Sequence, residues 1–134
     1  MDKLSQTILL VEDDLAIREA LELYLEGLSL AYVTADDGLL AVEVLQRQKI
    51  DLIITDFRMP RLDGIGLLNW CRKNGYHSPV IFISADAPSI DREKIALQDC
   101  CASLIKKPID LDLFDQALKA SLAREHHKNC VHQI

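Results

Sequence analysis

Apolar residues along the chain gather in five short runs: TILLV (7–11), LAYVT (30–34), DLIIT (51–55), PVIFIS (79–84) and ASLIK (102–106). These runs are nearly continuous in hydrophobicity, which is the pattern of parallel strands covered on both faces rather than of half-exposed ones. Between them lie helix-length segments with apolar positions every three or four residues. Ile17, Leu21, Tyr24 and Leu28 mark the first helix, and Leu111, Phe114, Leu118 and Leu122 the last. Asp14, Asp37 and Asp110 stand where N-caps of the first, second and fifth helices would fall. The order is therefore strand then helix, repeated five times. Right-handed crossovers turn that order into a doubly wound α/β sheet with helices on both faces. Ligands of such folds sit beyond the carboxyl ends of the strands, where the strand order reverses.

With 134 residues, 49% hydrophobic and 27% charged, the chain is one ordinary globular domain. A net charge of −6 argues against direct nonspecific binding to nucleic acid or to an anionic membrane by this domain. No apolar run approaches the roughly 18 residues of a membrane span. The start, MDKLSQTILLVEDD, does not read as a signal peptide, because acids follow Val11 at once. A cytoplasmic location is expected, with Cys71, Cys100, Cys101 and Cys130 as free thiols, since their spacing fits neither a CxxC pair nor a disulfide framework. The helical period fades near the end, so residues 6–124 are expected to form the domain. Residues 125–134 then form a tail or the start of a linker to an effector domain. His126, His127, Cys130 and His132 lie in that tail; chain ends are usually mobile, which favours a tail over a metal site.

The chemistry gathers just past the strands. Glu12, Asp13 and Asp14 follow the first, Asp56 ends the third, Ser84 ends the fourth, and Lys106, Lys107 and Pro108 follow the fifth. Strands one and three are neighbours in a doubly wound order, so Glu12, Asp13 and Asp56 crowd one rim. Three carboxylates repel one another and raise each other's pKa. A hard divalent cation resolves that conflict, and Mg²⁺ prefers oxygen ligands of this kind together with a phosphate. Lys107 and Ser84 supply a cation and a hydroxyl suited to phosphoryl oxygens. The set reads as a phosphoryl-acceptor site. Asp14 reads as a helix cap, Asp36 and Asp37 as turn and cap residues, and Asp51 as the start of a strand. Leu39, Leu40, Val44, Trp70, Leu113 and Ala117 widen helix faces and could serve partners.

Four stretches, "ILLVEDD", "DLIITDFRMPRLDG", "VIFISA" and "IKKPID", occur in an order and spacing that resemble a response-regulator receiver domain of two-component signalling, over about residues 6–124. The resemblance implies a flavodoxin-like (βα)5 fold with a five-stranded parallel sheet in order 2-1-3-4-5. It implies that Asp56 takes a phosphoryl group from the phosphohistidine of a histidine kinase or a histidine phosphotransfer protein. Asp13 and Glu12 (often Asp in the family) would bind Mg²⁺ with Asp56 and the Arg58 backbone carbonyl. Ser84 and Lys107 would hold the phosphoryl oxygens, and the Lys107–Pro108 bond would be cis. Gly64 would end the loop before the third helix. An effector domain or target protein, and a homodimer, are compatible partners; turnover of an external substrate is not expected. Two positions depart from the pattern. Leu104 stands where many relatives carry an aromatic switch, and Cys100 replaces the usual glycine before strand five.

Other classes fit less well. A phosphatase of the haloacid-dehalogenase kind wants a second acid where Arg58 stands. A flavin or nucleotide binder wants a Gly- or Thr-rich cradle where VEDDLA stands. A receiver-like interaction module that works without phosphorylation is the alternative kept alive by Leu104 and Cys100.

Overall fold

Thr7–Val11 (β1) and Leu52–Asp56 (β3) pair side by side at the middle of one five-stranded parallel sheet. Ala31–Ala35 (β2) flanks β1, and Val80–Ser84 (β4) and Ala102–Lys106 (β5) extend the other side, giving the order β2-β1-β3-β4-β5. The helices are Leu15–Gly27 (α1), Gly38–Arg47 (α2), Gly64–Lys73 (α3) and Leu111–Ala123 (α4). The computed structural model describes residues 6–59, 61–84 and 101–123. The helix expected between β4 and β5, Cys100 and the C-terminal tail lie outside the described residues.

Alternation along the strands explains how one sheet carries two cores. Ile8, Leu10, Leu52, Ile54, Ile81 and Ile83 point to one face and pack with Leu21 and Leu25 of α1 and Phe114 and Leu118 of α4. Leu9, Val11, Ile53, Val80 and Phe82 point to the other and meet Ala41 and Leu45 of α2 and Leu67 and Leu68 of α3. Both faces of the central strands are thus covered, as their continuous apolar runs require.

The helix starts follow the acids. Asp14 Oδ1 accepts from Ile17 N at 3.2 Å, Asp37 Oδ1 from Leu40 N at 3.0 Å, and Asp110 Oδ1 from Asp112 N at 2.9 Å. Asp63 caps α3 in the same way, accepting from Gly66 N at 2.8 Å. Asp51 Oδ2 accepts from Thr7 N at 2.8 Å and so caps the start of β1 rather than lying within β3.

Two expectations need correction. Leu28 is the C-cap of α1 and is exposed; Leu25, one turn earlier on the inner face, is the buried residue. Leu111 opens α4 and is also exposed; the inner face of the helix begins with Phe114. Gly64 is the first residue of α3, so the loop ends and the third helix starts where expected.

Candidate functional site

Register brings the acids together. Val11 of β1 lies opposite Thr55 of β3, so Glu12, one residue further, is level with Asp56. Carboxylate oxygens of Glu12, Asp13 and Asp56 all lie within 4.8 Å of one another. Asp13 is exposed, whereas Glu12 is 1% and Asp56 8% exposed. Two of the three acids are therefore taken out of water, which for Glu12 disfavours the charged form.

Asp56 is fixed by its neighbours in the chain. Phe57 N donates to Asp56 Oδ1 at 2.9 Å, and the buried Thr55 hydroxyl donates to the Asp56 carbonyl at 3.0 Å. Asp14 N donates to Glu12 Oε2 at 3.1 Å. Among the described residues no group donates to the buried Glu12 Oε1. Burial first, and the Asp56 charge second, push the Glu12 carboxyl from 4.5 up to about 7.

Among the described residues one cation faces this pair. Lys107 Nζ stands 3.5 Å from Asp56 Oδ2 and 3.8 Å from Glu12 Oε1, while Lys106 is exposed. The second distance is too long for a hydrogen bond and leaves only Coulomb attraction. Lys107 N donates to the Ser84 carbonyl at 2.7 Å, tying the end of β5 to the end of β4, and the Lys107–Pro108 peptide is cis. Ser84 is itself buried at that strand end. Arg58 lies two residues past Asp56 on the loop to α3, with its side chain in solvent.

The arrangement can hold a hard divalent cation among three carboxylates with an ammonium group at the edge. Donor chemistry fits such an ion: all three ligating groups are carboxylates, and one buried oxygen lacks a hydrogen-bond donor.

Sequence reasoning missed two supports of this site. Thr55 reads only as a strand residue, yet its hydroxyl holds the Asp56 carbonyl. Gly64 lies directly over that carbonyl: a Cβ there would come within 2.7 Å of Asp56 O and 3.0 Å of the Phe82 ring. The dipeptide Asp63-Gly64 marks the start of the helix, but nothing local marks the Thr55 bond or the close approach of Gly64 to Asp56.

The chain matches the response regulator receiver domain family over residues 8–119. It is 36% identical over 115 residues to the transcriptional regulatory protein GlrR of Escherichia coli strain K12; that match covers 86% of this chain and 26% of GlrR. A response regulator receiver protein from Pseudomonas putida superposes with a TM-score of 0.80 at 29% identity, covering 86% of this chain and 96% of that one. The receiver domain of sensor histidine kinase PA1611 from Pseudomonas aeruginosa, solved with a magnesium ion coordinated in its active site cleft, gives 0.76 at 32% identity over 89% of this chain and 98% of that one. The chain thus spans about a quarter of GlrR, well under two thirds of that relative's length. The family match and the 2-1-3-4-5 sheet agree: the chain belongs to the response regulator receiver domain family of two-component signalling.

Proposed function

We propose that Asp56 is the phosphoryl acceptor and that the partner is a phosphohistidine on a histidine kinase or a histidine phosphotransfer protein. The observation that carries this reading is the buried pair Glu12 and Asp56 facing Lys107 beside exposed Asp13 at the ligand edge of the sheet. An Asp56 carboxylate oxygen attacks phosphorus. The new O–P bond forms as the N–P bond breaks, and the electron pair stays on the imidazole nitrogen. Phe57 N–H orients one carboxylate oxygen, and Lys107 faces the other. Lys107 and the Ser84 hydroxyl are placed at strand ends where they can take phosphoryl oxygens.

Glu12, Asp13, Asp56 and the Arg58 carbonyl would hold Mg²⁺. When bound, the ion neutralises charge that gathers on the transferring phosphoryl oxygens. Without it the three acids carry more negative charge than Lys107 balances. Among the described residues no helix is long and apolar enough to cross a membrane, which agrees with action in the cytoplasm. Residues 6–124 are proposed as the receiver unit and 125–134 as a tail or linker leading to an effector. The chain acts on its own phosphorylation and dephosphorylation rather than on a stream of external substrate.

The test is intact mass after incubation with acetyl phosphate, with and without Mg²⁺, on wild type and Asp56→Asn. A Mg²⁺-dependent gain of one phosphoryl group in wild type alone is the expected result. A labelled Asp56→Asn would move the acceptor elsewhere. No gain, together with no beryllofluoride binding, would leave an interaction module that works without phosphorylation.

A further inference from the structure

Arg61 stands in the loop between Asp56 and α3 with φ of 70°, a left-handed backbone that glycine adopts far more readily than arginine. An outlier of that kind persists where surrounding contacts hold it. Here the holder is Asp37, the N-cap of α2. Arg61 Nε and Nη2 lie 2.8 and 2.7 Å from Asp37 Oδ2, while Oδ1 of the same carboxylate caps the helix at Leu40 N. Asp37 is buried, and its carboxyl is held below the usual range by the Leu40 amide first and then by Arg61.

The next residue packs as closely as the pair bonds. A Cβ on Gly38 would come within 2.2 Å of the Leu62 carbonyl, and one on Gly66 within 2.6 Å of the Leu62 side chain. The loop tip is therefore pressed between the first turns of α2 and α3. Its base is closed by Gly64 N donating to the Phe57 carbonyl at 3.1 Å, directly after the acceptor. Arg58 lies between base and tip.

We infer that Arg61 is a positioning residue for the chemistry at Asp56: its ion pair with Asp37 clamps Arg61 and Leu62 onto α2 and thereby fixes the backbone at Phe57 and Gly64 beside the acceptor. This inference rests on the acceptor reading given above. Asp37 and Arg61 are 24 positions apart, so the clamp joins the β2–α2 corner to the β3–α3 loop and makes two strand ends answer to one another.

Arg61→Gly separates positioning from mere stability, because glycine relieves the left-handed backbone while removing the clamp. Asp37→Asn keeps an oxygen for the Leu40 cap and removes the charge. Two readouts are taken on each: amide hydrogen exchange at Gly64 in divalent-free buffer, and Mg²⁺ affinity by calorimetry. Both variants are expected to remain folded, to exchange the Gly64 amide several-fold faster, and to bind Mg²⁺ roughly tenfold more weakly, the low end for groups that orient a metal ligand. The double variant is expected to be no weaker than either single one. Unchanged exchange at Gly64 overturns the clamp. Faster exchange with unchanged Mg²⁺ affinity makes the pair structural only and overturns the positioning role. A wild type that binds no Mg²⁺ overturns the acceptor reading and the positioning role with it, and the Gly64 exchange then still reports whether the clamp exists.

Discussion

Replacing Gly64 by alanine tests how tightly the fold is built around Asp56. The added Cβ would sit 2.7 Å from Asp56 O and 3.0 and 3.2 Å from two atoms of the Phe82 ring. Ordinary carbon contacts lie at about 3.5–4.0 Å, so the overlap is more than half an ångström. Neither neighbour can give way cheaply. Asp56 O is held by the Thr55 hydroxyl, and Phe82 is fully buried edge-on against Phe57. Overpacking of this kind costs about 1–3 kcal/mol. Alanine returns up to about 1 kcal/mol because it favours helix over glycine. Because both neighbours are held, the upper half of the overpacking range, about 2–3 kcal/mol, applies, and the net loss is about 1–2 kcal/mol. At about 2.1 cal/mol/K per residue over 134 residues, that lowers Tm by roughly 4–7 °C. The assay is thermal unfolding by circular dichroism in EDTA, with Gly27→Ala as the control. Nothing lies within 4 Å of a Cβ at Gly27, so the same substitution there is expected to raise stability. A Gly64→Ala protein as stable as wild type would refute the close approach over Asp56.

Glu12 predicts a pH response in divalent-free buffer. Its folded-state pKa is raised from 4.5 to about 7, so its contribution is fully present below about pH 4.5 and is lost as pH rises through 7. Urea midpoints should fall between pH 5 and 8, and less so in Asp56→Asn, where the like charge is gone; equal slopes in both proteins would refute the charge crowding. Asp37 and Asp115, both lowered from 3.8, act in the opposite sense but only as pH falls below about 4, outside that window. Asp14→Ala should lose about 1 kcal/mol by removing the cap while leaving Mg²⁺ affinity unchanged, and a large loss of affinity would make Asp14 a ligand. Thr55→Val, nearly isosteric, should lose about 1 kcal/mol with the hydrogen bond to Asp56 O, read as a lower urea midpoint at unchanged m; no change would show the bond to be energetically silent.

The succession of strands and the strand-end groups were legible because buried parallel strands leave continuous apolar runs, and polar residues at their carboxyl ends then stand out; the full sheet order came from the family resemblance. TILLV and ASLIK match β1 and β5 residue for residue, and the other three strands begin one residue later than their runs. Helix faces were less legible. A spacing of three or four lets either Leu25 or Leu28 complete the inner stripe of α1, and only the point where the helix ends decides for Leu25. The widened apolar faces divide in the structure: Leu39 and Leu113 are exposed, whereas Leu40, Val44, Trp70 and Ala117 pack in part against the cores. Gly38 and Arg61 were not legible, and Gly64 was legible only as the point where the third helix starts. Their requirements come from Leu62, Asp56 and Asp37 through space, and no local pattern encodes a neighbour brought in by folding.

The same comparison bears on how a change at Asp56 could travel. Glu12, Asp13, Asp56 and Lys107 leave an excess of negative charge when all are ionised, which a divalent cation would offset and a phosphoryl group would alter again. The strands below cannot relax in response, since residues such as Ile53, Ile54, Ile81 and Phe82 are fully buried between two packed faces. What can respond is what ends at the site. The Lys107 backbone is tied to Ser84, and the loop of residues 57–63 is tied to α2 through Arg61 and Leu62. Leu104 packs in part against the α2 and α3 side of the sheet, and a branched aliphatic side chain there has no ring or hydroxyl with which to report a swing. Among the described residues, the contacts that join the site to its surroundings therefore run along the loops at the strand ends, the Asp37–Arg61 pair among them, rather than through an aromatic side chain on β5.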